Sequence, residues 1–158
     1  MNVYQLIEDA AKQYPDHMAV MENDVSVSYR SLLMIIDAIA EDLRELGIDA
    51  GHRVGLFFPN SIAYIAITYA LWKLDAAVVP IDTALKESEV EHICGAMRLA
   101  SIIGFSFTAG SIRKKCSEIR PEFISENYSP PLNLLNLISI SRLSGLHPGQ
   151  PGRAKGWC

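Results

Sequence analysis

Apolar residues recur along this chain with two different periods, and the alternation between them predicts a succession of helices and strands. Val3, Leu6, Ile7, Ala10 and Ala11 share one face of a first helix, with Asn2 placed to cap it, Gln5 three residues on, and Pro15 to close it. Met18 to Met21 and Val25 to Ser28 flank Glu22-Asn23-Asp24, the pattern of a short hairpin with turn residues at its tip. Ser28 then stands as the cap of a long amphipathic helix. Its stripe is Leu32, Ile35, Ile36, Ile39, Ala40, Leu43 and Leu46, with Gly47 as the C-terminal stop.

After Gly51-His52-Arg53 the pattern changes. Val54 to Phe58 is a continuous apolar run of the kind buried on both faces of a parallel sheet. Pro59-Asn60-Ser61 supplies a turn and a cap, Ile62 to Leu74 is a helix apolar almost all round, and Ala76 to Pro80 is again strand-like. Strand, helix and strand make a βαβ unit. A helix from about Lys86 to Met97 and a third run, Ser101-Ile102-Ile103-Gly104, extend it, so the expected fold class is α/β, a doubly wound and mainly parallel sheet. Past Gly110, Ser111 to Ile119 reads as one more helix and Ile138-Ser139-Ile140-Ser141 as an exposed strand.

At 158 residues, 49% hydrophobic and 20% charged, the chain has the balance of one domain with a genuine core. A net charge of -4 argues against a nucleic-acid binder, and Arg113-Lys114-Lys115 is read as a solvated helix face. Cys94, Cys116 and Cys158 lack a Cys-x-x-Cys pair, which points away from zinc and disulfides and toward a reducing cytoplasm. His92 and Cys94 on one helix fall short of the four ligands zinc takes, so no metal site is assigned; His17 and His52 lie in turns without an identifiable acid–base partner. The N-terminus has no basic segment of a signal peptide, and Ile62 to Leu74 is too short to span a bilayer.

Several blocks, in order, resemble the N-terminal part of the adenylate-forming (AMP-binding) family of acyl-CoA synthetases, luciferases and peptide-synthetase adenylation domains. Tyr14-Pro15-Asp16-His17-Met18-Ala19-Val20 resembles its opening Pro-x-x-x-Ala block, and Val27-Ser28-Tyr29-Arg30-Ser31-Leu32 its first core motif, with Ser31 in place of the usual Glu. Gly47 to Leu56 followed by Pro59-Asn60-Ser61 resembles its Gly-x-x-x-Gly-Asp-x-Val strand and Pro-Asn-Ser turn, with His52 in place of Asp. Leu71 to Asp82 resembles the second core motif, with Asp75 where glycine is expected. The departures at His52 and Asp75 read as relaxed constraint.

The family's phosphate loop, Thr-Ser-Gly-Thr-Thr-Gly-x-x-Lys-Gly, is similar to the end of the chain, where Gly149, Gly152, Arg153, Ala154, Lys155 and Gly156 match. His147-Pro148 and Gln150-Pro151 replace its hydroxyl pairs, and proline has neither hydroxyl nor N–H. It is not a Walker A loop, since no Ser or Thr follows Lys155. All 18 acidic residues lie at or before Glu126, and later formal charges are Arg142, Arg153 and Lys155. That shift invites a frameshift hypothesis, tested by reading the other two frames between the codons for Arg120 and Gly149 and past Cys158.

The resemblance implies an N-terminal, truncated subdomain of an adenylate-forming enzyme: residues 1–120 of the adenylation domain, then a 121–158 tail rich in proline and serine. It implies ATP-dependent activation of a carboxylic acid, a fatty acid by expectation, as an acyl-adenylate, with Mg²⁺ and transfer to coenzyme A. A free-standing synthetase is expected, since no carrier or condensation segment precedes the fold. Its cofactor-binding residues would be Gly149, Gly152, Arg153, Lys155 and Gly156; the family's adenine and ribose contacts, metal-binding Glu, acyl pocket and catalytic Lys would lie beyond Cys158, about two-thirds of a complete enzyme. Tyr29, Pro59, Asn60, Pro80 and Asp82 read as turn and packing residues, and catalytic residues are unassigned. Two other readings stand: a silent remnant or interaction module that self-associates through exposed apolar surface, presenting Ile62 to Leu74, and an independent nucleotide-binding domain using the terminal loop alone.

Overall fold

Ser28 and Gly47 bracket the first long helix as their chemistry requires. In the computed structural model, which describes residues 2–104, 116–119 and 139–143, α1 (Tyr4–Gln13) leads into the hairpin β1 (Met18–Glu22) and β2 (Val25–Ser28), then α2 (Tyr29–Glu45). Ser28 Oγ accepts from Ser31 N at 3.2 Å. At the other end Gly47, at φ 75°, lets Ile48 N reach Leu43 O and Gly47 N reach Arg44 O, a paired closure of the last turn. Leu32, Ile35, Ile36, Ile39, Ala40 and Leu43 are buried, so the stripe faces the core.

The βαβ unit follows as β3 (Arg53–Phe57), α3 (Ile62–Lys73) and β4 (Ala77–Pro80), then α4 (Glu87–Met97) and β5 (Ser101–Gly104). β3 lies between β4 and β5 and is parallel to both, with Gly55 opposite Val79 on one side and Ile102 on the other. Its side chains divide between two apolar layers. Val54 and Leu56 join Ile103 in the layer under α2 and α3, whereas Ile102 joins Ile81, Leu99 and Val90 under α4. Burying each such Leu or Ile contributes about 1.5–3 kcal/mol. A Cβ on Gly55 would stand 2.8 Å from Leu99 Cδ1 and 2.9 Å from Ile81 Cδ1, so the α4 layer closes onto bare backbone there.

Two strands complete the sheet: β6 (Cys116–Ile119) and β7 (Ser139–Leu143), in the order β4-β3-β5-β7-β6. β7 runs antiparallel to both neighbours, so the sheet is mixed, with three adjacent parallel strands. The helix expected over Ser111 to Ile119 is overturned at its C-terminal part, because Cys116–Ile119 satisfies its backbone in a ladder with β7. The exposed strand expected over Ile138 to Ser141 is met in part by Ser139–Leu143, whose backbone pairs on both edges, with β5 and with β6; Ile138 lies outside the described residues.

Two faces also differ from expectation. In α1 only Ile7 and Ala11 are buried, while Val3 and Leu6 are 44% and 54% exposed. The helix turns Tyr4 and Ile7 inward and leaves the outer half of its apolar face in solvent. α3, apolar all round, buries Ile62, Ala63, Ala66, Ile67, Ala70 and Leu71 and half-covers Tyr64, Ile65, Tyr69 and Trp72, so it is not presented as an open face.

Gly55→Ala is expected to cost about 1–3 kcal/mol by overpacking. Gly95→Ala, where nothing lies within 4 Å of the added methyl, should stabilise α4 by about 0.5–1 kcal/mol. Urea unfolding of the two variants checks both signs.

Candidate functional site at the sheet's switch point

The strand order alone locates a candidate ligand edge. From β3 the chain passes through α3 to β4 on one side, then through α4 back across β3 to β5 on the other, with α3 and α4 on opposite faces. The direction of winding therefore reverses between β3 and β5. In an open α/β sheet such a switch leaves a gap at the carboxyl ends of the two strands, where ligands bind. Here those ends are Phe57 and Gly104, which are register partners.

The turn leaving β3 at this edge is Pro59-Asn60-Ser61. Phe58 is buried, Pro59 and Asn60 are exposed, and Ser61 Oγ donates to Pro59 O at 3.1 Å and accepts from Tyr64 N at 3.1 Å. Next to it the ladder runs one residue past β4, since Ile81 N donates to Leu56 O. Asp82 Oδ1 then accepts from Ala84 N at 2.9 Å, and Glu89 Oε2 accepts from Lys86 N at 2.8 Å at the start of α4. Both α3 and α4 begin on this side, so the positive ends of their backbone dipoles face the same edge. The edge offers Asn60, Ser61, Asp82 and Thr83 as polar side chains, each exposed or half-buried.

A second polar cluster joins the three helices away from this edge. Asp37 Oδ1 accepts from Tyr4 Oη at 3.0 Å and from Lys73 Nζ at 2.7 Å, and Lys73 Nζ lies 5.1 Å from the centre of the Tyr4 ring. Burial, then the bond to Asp37, pushes the Tyr4 phenol up. Burial alone would lower the Lys73 ammonium, but its bonds to Asp37 and Tyr4 outweigh this and hold it up. A phenol and an ammonium that both keep their protons are poor nucleophiles, so the cluster is a clamp between α1, α2 and α3. Nothing in the local sequence signals it, because its members stand 33 and 36 residues apart.

The residues expected to bind phosphate, Gly149, Gly152, Arg153, Lys155 and Gly156, lie outside the described residues. Of the turn residues, the structure brings Pro59 and Asn60 to the switch point with Asp82 and Pro80 on the neighbouring strand end. Tyr29 begins α2, and its N–H donates to His17 O. His17 packs its ring on Tyr14, centroids 5.3 Å apart. Among the described residues no group of three His, Cys, Asp or Glu could hold a metal ion, and no helix is long and apolar enough to cross a membrane.

Comparison with known proteins decides the family. The pattern of the AMP-binding enzymes matches residues 7–133. The chain belongs to the AMP-binding enzyme family. Syringomycin synthase SyrB1 of Pseudomonas syringae pv. syringae is 30% identical over 65% of the chain and 17% of its own length. Long-chain-fatty-acid–CoA ligase FadD13 of Mycobacterium tuberculosis is 34% identical over 58% of the chain and 19% of its own length. The N-terminal domain of FACL13 from Mycobacterium tuberculosis, solved with an inhibitor, superposes with a TM-score of 0.62 at 31% identity, covering 64% of this chain and 26% of that one. The chain thus spans less than a third of each.

Within the AMP-binding family the chain's departures acquire physical reasons. Asp75, where glycine is expected, has φ 54°, a left-handed conformation that Asp tolerates better than most side chains. Its Oδ1 accepts from Asn2 Nδ2 at 2.8 Å, and its carbonyl accepts from Gly51 N. His52, where Asp is expected, accepts from Asp49 N through Nδ1 at 3.1 Å. Neither departure is idle. Asn2, expected to cap α1, stands one residue before the cap position, which is Val3; its Oδ1 still accepts from Tyr4 N at 3.0 Å, and its amide donates to Trp72 O at 2.6 Å. Ser31 Oγ accepts from Ser28 Oγ at 3.1 Å, but it brings no charge, whereas a Glu at this third helical position could reach back to Ser28 and meet the helix dipole.

Ser31→Glu is therefore expected to raise stability by about 0.3–1 kcal/mol at low salt, with the gain shrinking as salt is added; thermal melts at two salt concentrations read it. Tyr4 and Lys73 bind protons more tightly folded than unfolded, so their stabilisation is full below ordinary values of 10.0 and 10.5 and is lost as pH rises through the raised values. Urea midpoints measured from neutral to strongly alkaline pH should fall more steeply for the wild type than for Asp37→Ala; equal slopes would contradict the clamp.

Proposed function

We propose that the chain supplies the opening part of an AMP-forming carboxylic acid–CoA ligase, in which ATP and the acid give an acyl-adenylate and pyrophosphate, and coenzyme A then takes the acyl group. The observation that carries this reading is the reversal of winding between β3 and β5 in a chain of the AMP-binding family. Resemblance to a long-chain fatty-acid ligase favours a fatty acid as substrate. Residues 1–120 form the start of the adenylation domain in this proposal, and 121–158 form the tail whose Gly149, Gly152, Arg153, Lys155 and Gly156 hold the phosphates. Among the described residues no group of three His, Cys, Asp or Glu could hold a metal ion, so Mg²⁺ is assigned to no described side chain. What the described part contributes is placement: a buried strand that ends at the ligand edge and a turn that presents Asn60 and Ser61 there. We infer a cytoplasmic location as well, because the wide and odd-numbered spacing of Cys94, Cys116 and Cys158, with no Cys-x-x-Cys pair, suits a reducing compartment.

A catalytically silent form of the same fold is the second reading, favoured by Pro148 and Pro151, which remove donors from the phosphate loop. Self-association belongs to that reading, through Val3, Leu6, Met18, Met21 and Met34, which are 44–63% exposed.

ATP–pyrophosphate exchange with a panel of fatty and aromatic acids separates the two. Acid-dependent exchange by the purified chain alone, lost in Lys155→Ala, would defeat the silent reading outright. The ligase reading expects that exchange once the chain is joined to the remaining part of an adenylation domain, and exchange at the blank level with every acid in the joined protein assigns the chain to the silent form.

A further inference from the structure

We infer that Glu22 is a positioning residue for the turn at the switch point: its carboxylate, carried on the β1–β2 hairpin, holds the start of α3 and with it Pro59-Asn60-Ser61. Glu22 Oε2 accepts from Ile62 N at 2.8 Å, across 40 residues of sequence. Ile62 is the first residue of α3 and is fully buried. An N–H at that place has no partner within its own helix, and a buried donor left unpaired is costly. Ser61 does not serve it, because its hydroxyl is occupied with Tyr64 N and Pro59 O. α3 has no acidic residue in its first turn, so the negative charge that complements its dipole comes from the hairpin.

The hairpin is built to hold that carboxylate still. Glu22 pairs with Val25 across a two-residue tip, and Asn23 takes the left-handed conformation, φ 53°, that such a tight connection requires. Val27 anchors the second strand in the core, and Ser28 passes directly into the cap of α2. The strap therefore has one end fixed to α2 and the other to the turn after β3. Asn60 and Ser61 are presented to the ligand edge at a height set by a hairpin that precedes them by some 40 residues. This assignment rests on the proposed use of the switch point, but its test does not require catalysis.

The experiment compares Glu22→Ala, Glu22→Gln and Ser61→Ala by amide exchange and amide NMR signals in the intact chain. Glu22→Ala should speed exchange at Ile62 by roughly tenfold or more and shift the Asn60, Ser61 and Val25 signals, while Ile102 and Ile103 keep their rates. Glu22→Gln, which retains an acceptor oxygen without the charge, should fall between; Ser61→Ala should act on Tyr64 instead. If the alanine variant does not fold, the glutamine variant decides by the same readout. An unchanged Ile62 rate, or equal acceleration at Ile62, Ile102 and Ile103, would overturn the assignment. A blank exchange assay alongside a positive Ile62 result would remove the ligase reading and leave the strap standing.

Discussion

Everything in this fold is arranged around one strand that has no free side. β3 is hydrogen-bonded along both edges, to β4 and β5, and covered on both faces, by α2 and α3 above Val54 and Leu56 and by the α4 layer above Gly55. Its interior, Val54 to Leu56, is accordingly apolar and buried, and at Gly55 the second layer approaches the backbone itself. With β3 fixed, the two crossovers have only one way to lie. Their opposite directions open the carboxyl edge between Phe57 and Gly104.

The helices above this strand are joined to one another by polar contacts that skip over long stretches of sequence. Asp37 holds Tyr4 and Lys73, Asn2 holds the Trp72 carbonyl and Asp75, and Glu22 holds the first amide of α3. Each ties a part of the N-terminal helix or hairpin to α2 or α3. Hydrophobic burial makes these helices adhere to the sheet, but it is non-directional. The polar contacts supply direction, and so they set where the turn after β3 sits relative to the ligand edge.

Most of this architecture was legible because its determinants are local. Caps at Ser28 and Ser61, the stop at Gly47, and the continuous apolar runs at Val54 and Ser101 all lie within a few residues of what they control. What was not legible is decided at a distance. Cys116–Ile119 reads as helix until β7 is there to pair with it, and the outer half of the α1 face cannot be told from the inner half until α2 and α3 choose which side to cover. Asp75 and His52 illustrate a third kind of miss. As deviations from a motif they read as relaxed constraint, but each makes a backbone or side-chain contact that its own chemistry permits. At the candidate site the position of the edge follows from strand order, whereas the phosphate-loop glycines and Lys155 were legible only through family resemblance.

The central claim is that β3, buried on two faces and paired on two edges, is the last element to open and that the carboxyl edge inherits its rigidity. Native-state amide exchange in increasing urea measures this directly, since it ranks the opening free energies of individual segments. The account predicts that the amides of Val54 to Phe57, with those of Ile102 and Ile103, exchange only through global unfolding, at higher free energy than those of the β1–β2 hairpin. If the hairpin or α1 amides proved as slow as β3, or β3 opened by a local route before them, the account would be contradicted.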